Sequence, residues 1–190
     1  MFSLGVRLRS LILELAQTGL FRARWSEDIH REWMNAAVTR SNREITVDDL
    51  EPTRRAMDQA VLDCLVTGYE PLISGLKLPD PGDRHVLAAA IAGKASAIVT
   101  FNLKDFPEAL IASFGLHVKH PDDFLLDIAS IDSESFFEAV ERDRAHYKNP
   151  PIEIDEYIGT LDRAWVKKTA KLIMDSRIIL AATETGTGGD

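Results

Sequence analysis

The sequence predicts an α/β fold: a short, mostly parallel sheet flanked by helices, followed by a C-terminal all-helical segment. Three observations carry this. Ala97-Ile98-Val99-Thr100-Phe101 is a short apolar, β-rich run, the pattern of a strand buried in a parallel sheet. Segments with helical spacing lie before and after it, so strands alternate with helices as in βαβ units. After about Ile128 the strand-like runs stop and helical spacing continues alone.

The elements follow in order. Leu8, Leu11, Ile12 and Leu15 recur at three- and four-residue spacing, which predicts a helix over 8–18 with Gly19 as its stop. Phe21 to Trp25 alternates large apolar residues with arginines and reads as a strand. Ser26 is an N-cap candidate, and Glu27 and Asp28 fall in the first turn, where the helix dipole favours negative charge. That helix runs to about Val38. A third helix spans about Thr46 to Val61, and Val61–Val66 is a short strand candidate ahead of Gly68. Tyr69–Leu76 is a weak helical segment. Leu78-Pro79-Asp80-Pro81-Gly82 has loop chemistry. Asp83 opens a helix whose buried face is Val86, Leu87, Ala90 and Ile91. A helix is expected over 105–113 and a strand over 116–118. Helices over 132–147 and 154–180 complete the chain, separated by Pro150-Pro151. Ile158, Leu161, Trp165, Leu172 and Ile173 form an apolar stripe expected to pack inward.

Composition narrows the function. The 190 residues suffice for one domain and a small appendage. Cys64 is the only cysteine, which rules out an internal disulfide and argues against a cysteine-based zinc site. No apolar run approaches the length of about 18 residues that a membrane span needs. Arg7, Arg9 and Leu11-Ile12-Leu13 do not make a signal peptide, because Glu14 and Gln17 interrupt the patch. A cytoplasmic protein is the simplest reading. The net charge of −8 argues against a broad phosphate-binding surface. It is compatible with a metal nuclease, whose carboxylates keep the site acidic until a cation arrives.

The chemistry concentrates in Asp83-Arg-His-Val-Leu-Ala-Ala-Ala and in Ile98-Val-Thr-Phe-Asn-Leu-Lys-Asp-Phe106. An acid opens a helix, an apolar strand follows, and polar residues emerge at the strand's carboxyl end, where open α/β sheets bind ligands. Asn102 and Asp105 are placed for a site, and Asp83 joins them if its helix packs beside the strand. Each residue has two readings. Asp83 and Asp105 are either metal-site acids or helix caps. Asn102 is a site residue or a turn residue. Glu32 is a ligand or a solvated helix charge. His30 and His85 lack metal-ligand spacing and read as core or surface residues.

Together these stretches resemble the PIN-domain family, and within it the VapC-like bacterial toxins with a helical C-terminal extension. The match covers roughly residues 7–128. DRHVLAAA followed by IVTFNLKDF resembles the family's D-x-x-hydrophobic-x-A-x-A helix, its apolar strand and its T-x-N-x-x-D-F motif. WSEDIHREW is similar to the segment that carries a metal-site glutamate, and Glu32 fits that position. The resemblance implies a ribonuclease, a phosphodiester hydrolase dependent on Mg²⁺ or Mn²⁺. It assigns Glu32, Asp83 and Asp105 as metal ligands, with Asn102 positioning water or phosphate beside them. It further implies an RNA substrate and a cognate antitoxin protein, and a homodimer, since such toxins commonly pair.

One departure bears on activity. The family opens with a central strand ending in aspartate, whereas here only Met1–Val6 precede the first helix and contain no acid. The expectation is an N-terminally truncated PIN-like domain over 1–128, a helical extension over 129–182 and a disordered tail over 183–190. Its ribonuclease activity is expected to be impaired by loss of the first strand. The alternative is a catalytically dead PIN-like module that captures an antitoxin.

Overall fold

A computed structural model describes residues 6–42 and 44–185. Among the described residues, contacts cluster into two compact units, one holding residues 19–42 and 44–121 and the other 6–18 with 122–185.

The first unit carries the sheet. Helix α2 (Glu27–Arg40) starts where the sequence places it, with the Ser26 side chain accepting from the Ile29 N–H. Helix α3 (Val47–Ala60) is closed by a reciprocal capping box between Thr46 and Asp49. Then come a single helical turn, α4 (Glu70–Ile73), a 3₁₀ turn at Pro81–Asp83, and α5 (Arg84–Ala92). Strand β1 (Ala97–Val99) pairs in parallel with β2 (His117–Lys119), in the register Ala97–His117, Ile98–Val118, Val99–Lys119. Between them lie a 3₁₀ turn, Leu103–Asp105, and α6 (Glu108–Ala112). Trp25, Trp33, Met57, Leu87, Ile98 and Phe106 are buried. The mixed fold with its short parallel sheet agrees with the expected class.

Several expectations fail locally. The strands expected at 21–25 and 61–66 reduce to one parallel bridge, Trp25 to Leu65. Trp25 N–H donates to Cys64 O at 2.8 Å, and Val66 N–H donates to Trp25 O at 2.7 Å. Asp63 sits at φ +54°, which breaks the extended run ahead of Cys64. The helix expected from Asp105 begins only at Glu108, because Pro107 holds an extended backbone and disfavours helical geometry in Phe106 before it.

The second unit is helical: α1 (Val6–Ala16), α7 (Pro121–Ile131), α8 (Ser133–Ala145), α9 (Ile154–Arg163) and α10 (Lys167–Thr185). Helix α1 packs on α8 and α9, and α9 packs on α10. Asp122 caps α10: its carboxylate accepts from Lys168 N–H, Thr169 N–H and the Thr169 hydroxyl at 2.7–2.9 Å. Tyr157 donates its hydroxyl to Asp143 at 2.6 Å, and both are buried. A hydrogen bond to a charged group is worth about 1.5–3 kcal/mol, so this pair ties α9 to α8. Burial is the main influence on Asp143 and raises its pKa.

The apolar stripe is only partly as expected. Leu161 and Ile173 are buried, and Ile158 and Leu172 are half-buried. Trp165 is 71% exposed. It stands at φ +64° in the turn between α9 and α10, so the helical spacing that links it to Leu161 does not continue through it. The Lys167 ammonium lies 5.9 Å from its ring centroid. Helix α10 runs to Thr185, into the segment expected to be disordered, while residues 1–5 and 186–190 lie outside the described residues. Among the described residues, no helix is long and apolar enough to cross a membrane.

Candidate metal centre

The 3₁₀ turn Pro81–Asp83 builds one wall of the site. Asp80 caps it by accepting from Gly82 N–H at 2.7 Å. In a three-residue turn, side chains three apart lie one above the other, so Asp80 and Asp83 project together. Asp83 is 3% exposed and makes no side-chain cap to α5. The capping reading of this residue is therefore excluded. The opposite wall is the turn after β1. There Thr100 Oγ1 accepts from Asn102 N–H at 3.0 Å, and Asn102 donates its amide to the Asp105 carboxylate. Asn102 likewise makes no helix-capping hydrogen bond.

These two turns bring one carboxylate oxygen each of Asp80, Asp83 and Asp105 within 4.8 Å of one another. Asp83 Oδ2 is buried without a hydrogen-bond partner among the described residues. Burial, followed by the charges of Asp80, Asp105 and Glu32, pushes the Asp83 pKa up to about 6, and His85 opposes this. A partly buried group of like charges with an orphaned oxygen is unfavourable by itself and is relieved by a cation. Hard divalent cations take oxygen ligands, so the donor set fits one.

Glu32 stands beside this group. It projects from α2 and binds His85 of α5, Glu32 Oε1 to His85 Nε2, at 2.8 Å. Its Oε2 is buried and has no hydrogen-bond partner among the described residues. Its charge acts on Asp83, although its carboxylate lies outside the three-acid group. Glu32 and His85 also line an open groove with Arg31, Asn35 and Gly82. His30, by contrast, is a core residue, 1% exposed, between Asp58 and Trp33.

Of the four residues singled out in the sequence, the structure joins Asp83 and Asp105 directly, attaches Asn102 to Asp105, and sets Glu32 alongside through His85. Sequence reasoning missed two residues. Asp80 reads as loop in the sequence, although its three-residue spacing from Asp83 is a usable signal. The contact of His85 with Glu32 spans 53 positions and had no local signal.

Comparison with known proteins adds three findings. A family model described as "PIN domain" matches residues 6–104, and one described as "VapC50 C-terminal domain" matches residues 121–175. A Mycobacterium tuberculosis protein named "Putative ribonuclease VapC50" is 44% identical over 68 residues, covering 36% of this chain and 40% of that relative. The match thus spans well under half the length of the relative. No solved structure matches the chain.

Proposed function

The chain belongs to the PIN-domain family, and on that premise we propose that it is a metal-dependent endoribonuclease of the toxin–antitoxin type. The observation that carries this is the Asp80–Asp83–Asp105 group with its buried, unpartnered Asp83 oxygen. The similarity to a protein named as a ribonuclease supports the same reading.

Asp80, Asp83 and Asp105 would hold Mg²⁺ or Mn²⁺, with Glu32 Oε2 as a further oxygen donor. A divalent cation there lowers the pKa of bound water and offsets charge on the scissile phosphate. Asn102 orients Asp105, and His85 fixes Glu32 so that Oε2 is the oxygen left for the site. The partners under this reading are an RNA substrate and a cognate antitoxin, with a homodimer as the assembly and the cytoplasm as the location.

Purified protein is expected to cleave single-stranded RNA when Mn²⁺ is supplied and not at all in chelator. Asp105→Asn should remove that cleavage by removing a ligand charge; even outer-sphere changes cost about 10- to 100-fold in metal affinity or activity. Cleavage that survives both chelator and Asp105→Asn rules the proposal out. Antitoxin binding without any Mn²⁺-dependent cleavage favours the dead binding module instead.

A further inference from the structure

With a net charge of −8, the chain does not attract RNA by bulk charge, and the acid group repels phosphate until a cation is present. Affinity beside such a site has to come in part from contacts that do not involve phosphate. The two parallel strands lead to a candidate. Because β1 and β2 run the same way, the residues that follow them leave the sheet at one carboxyl end. Phe101 and Asn102 emerge there from β1, and His120 emerges from β2. The rings of Phe101 and His120 form a T-shaped pair with centroids 5.1 Å apart and planes at 79°. Both residues are half-buried rather than enclosed in the core. Asn102 follows Phe101 directly and binds Asp105 of the acid group. Leu103 and Lys104, next in the chain, are exposed.

We propose that the Phe101–His120 pair is a stacking platform for one unpaired base of a single-stranded RNA whose backbone crosses the acid group. In a T-shaped pair one ring meets its neighbour by an edge, so both faces of that ring lie outside the ring–ring contact. Every base offers a π-face, and stacking on aromatic side chains tolerates any sequence. A duplex keeps its bases stacked on one another, so the platform selects single strands, loops or bulges. The exposed Lys104 ammonium supplies a phosphate contact that fixes the strand without reading its sequence. This inference rests on the ribonuclease reading for its choice of RNA.

The test mixes Mn²⁺-loaded protein with a single-stranded RNA carrying 2-aminopurine, whose fluorescence falls on stacking. Wild type should quench it. Phe101→Leu, which keeps an apolar side chain, should abolish the quenching and weaken binding by about 5- to 150-fold, the range for one stacked base. Its Mn²⁺ affinity should not change, and its melting temperature should fall by no more than about 6 °C, the loss of one aromatic pair. Phe101→Tyr should behave as wild type, and an abasic RNA should bind wild type and Phe101→Leu equally. Unchanged quenching in Phe101→Leu overturns the platform, as does equal weakening by the Leu and Tyr variants. Asp83-dependent cleavage with no effect at Phe101 sinks the platform alone. Absence of RNA binding by the wild type sinks the ribonuclease reading with it.

Discussion

In chelator near neutral pH, Asp83→Asn is expected to melt roughly 5–10 °C above the wild type. In the folded protein the Asp83 pKa rises from 3.8 to about 6, chiefly through burial and then through neighbouring Asp80 and Asp105. The folded state therefore binds the proton more tightly than the unfolded chain. The group's stabilising contribution is complete below about pH 4 and is lost as pH rises through about 6. A shift of this size corresponds to about 2–3 kcal/mol. For a chain of this length each kcal/mol moves the melting temperature by about 2–4 °C. The asparagine side chain is neutral at every pH and escapes the penalty. The wild type should therefore lose stability in chelator between mildly acidic and neutral pH, and the variant should not. Saturating Mn²⁺ should reverse the order: a ligand at about 100 times its dissociation constant adds about 2.7 kcal/mol to the wild type and little to the variant. A destabilised variant in chelator with an undiminished Mn²⁺ response would mean that Asp83 is an ordinary structural residue.

His30→Ala is expected to cost about 2–4 kcal/mol of stability, from the loss of a hydrogen bond to a charged group, worth about 1.5–3 kcal/mol, and the cavity left in the core. The Trp33 indole can only donate, and it lies 2.9 Å from His30 Nδ1. His30 Nδ1 is therefore the acceptor, and Nε2 carries the proton that it donates to Asp58 at 2.9 Å. The Trp25 indole donates to the same Asp58 oxygen at 2.7 Å. Asp58 is thus the node joining α2, α3 and the Trp25 segment. Burial is the largest single influence on its pKa and pushes it up, but the hydrogen bonds from Trp25 and His30 and the neighbouring charges, Arg54 among them, together outweigh burial and hold it low. Alanine removes one donor to Asp58 and the acceptor for Trp33, and leaves a cavity. Because Glu32 lies two residues further along α2, Mn²⁺ affinity should fall as well. His85→Ala provides the contrast, with a loss of Mn²⁺ affinity and a smaller loss of stability. Urea denaturation reads both variants, and a cost for His30→Ala below about 1 kcal/mol would contradict a network of this kind.

Local chemistry made part of this molecule legible. Ser26 ahead of Glu27-Asp28 marks the start of α2, and Thr46 marks the start of α3, because a cap is decided within one turn. The apolar run at 97–101 announces β1, and the polar residues after it announce one wall of the site. The misses lie where distant residues decide the outcome. Phe21–Trp25 has strand-like alternation, yet the pairing it makes is a single bridge from Trp25 to Leu65, forty positions away. Trp165 fits a helical stripe, but its own left-handed backbone ends the helical path between α9 and α10. Asp80 reads as loop because Pro79 and Pro81 surround it, yet the 3₁₀ turn they favour is what carries it to Asp83 and Asp105. Helix α1 continues the family match at residue 6, while its contacts place it with the C-terminal helices. No local pattern in α1 encodes that choice.

If Asp80, Asp83 and Asp105 form a cation site, a calorimetric Mn²⁺ titration detects it. The wild type should bind Mn²⁺ measurably. Asp80→Asn and Asp105→Asn should each weaken binding by about 10- to 100-fold or more, given what even outer-sphere losses cost, and Asp83→Asn should remove it. Glu156→Gln, an exposed acid of α9, should titrate as wild type. Equal Mn²⁺ binding by all five proteins, or none by the wild type, would contradict the site.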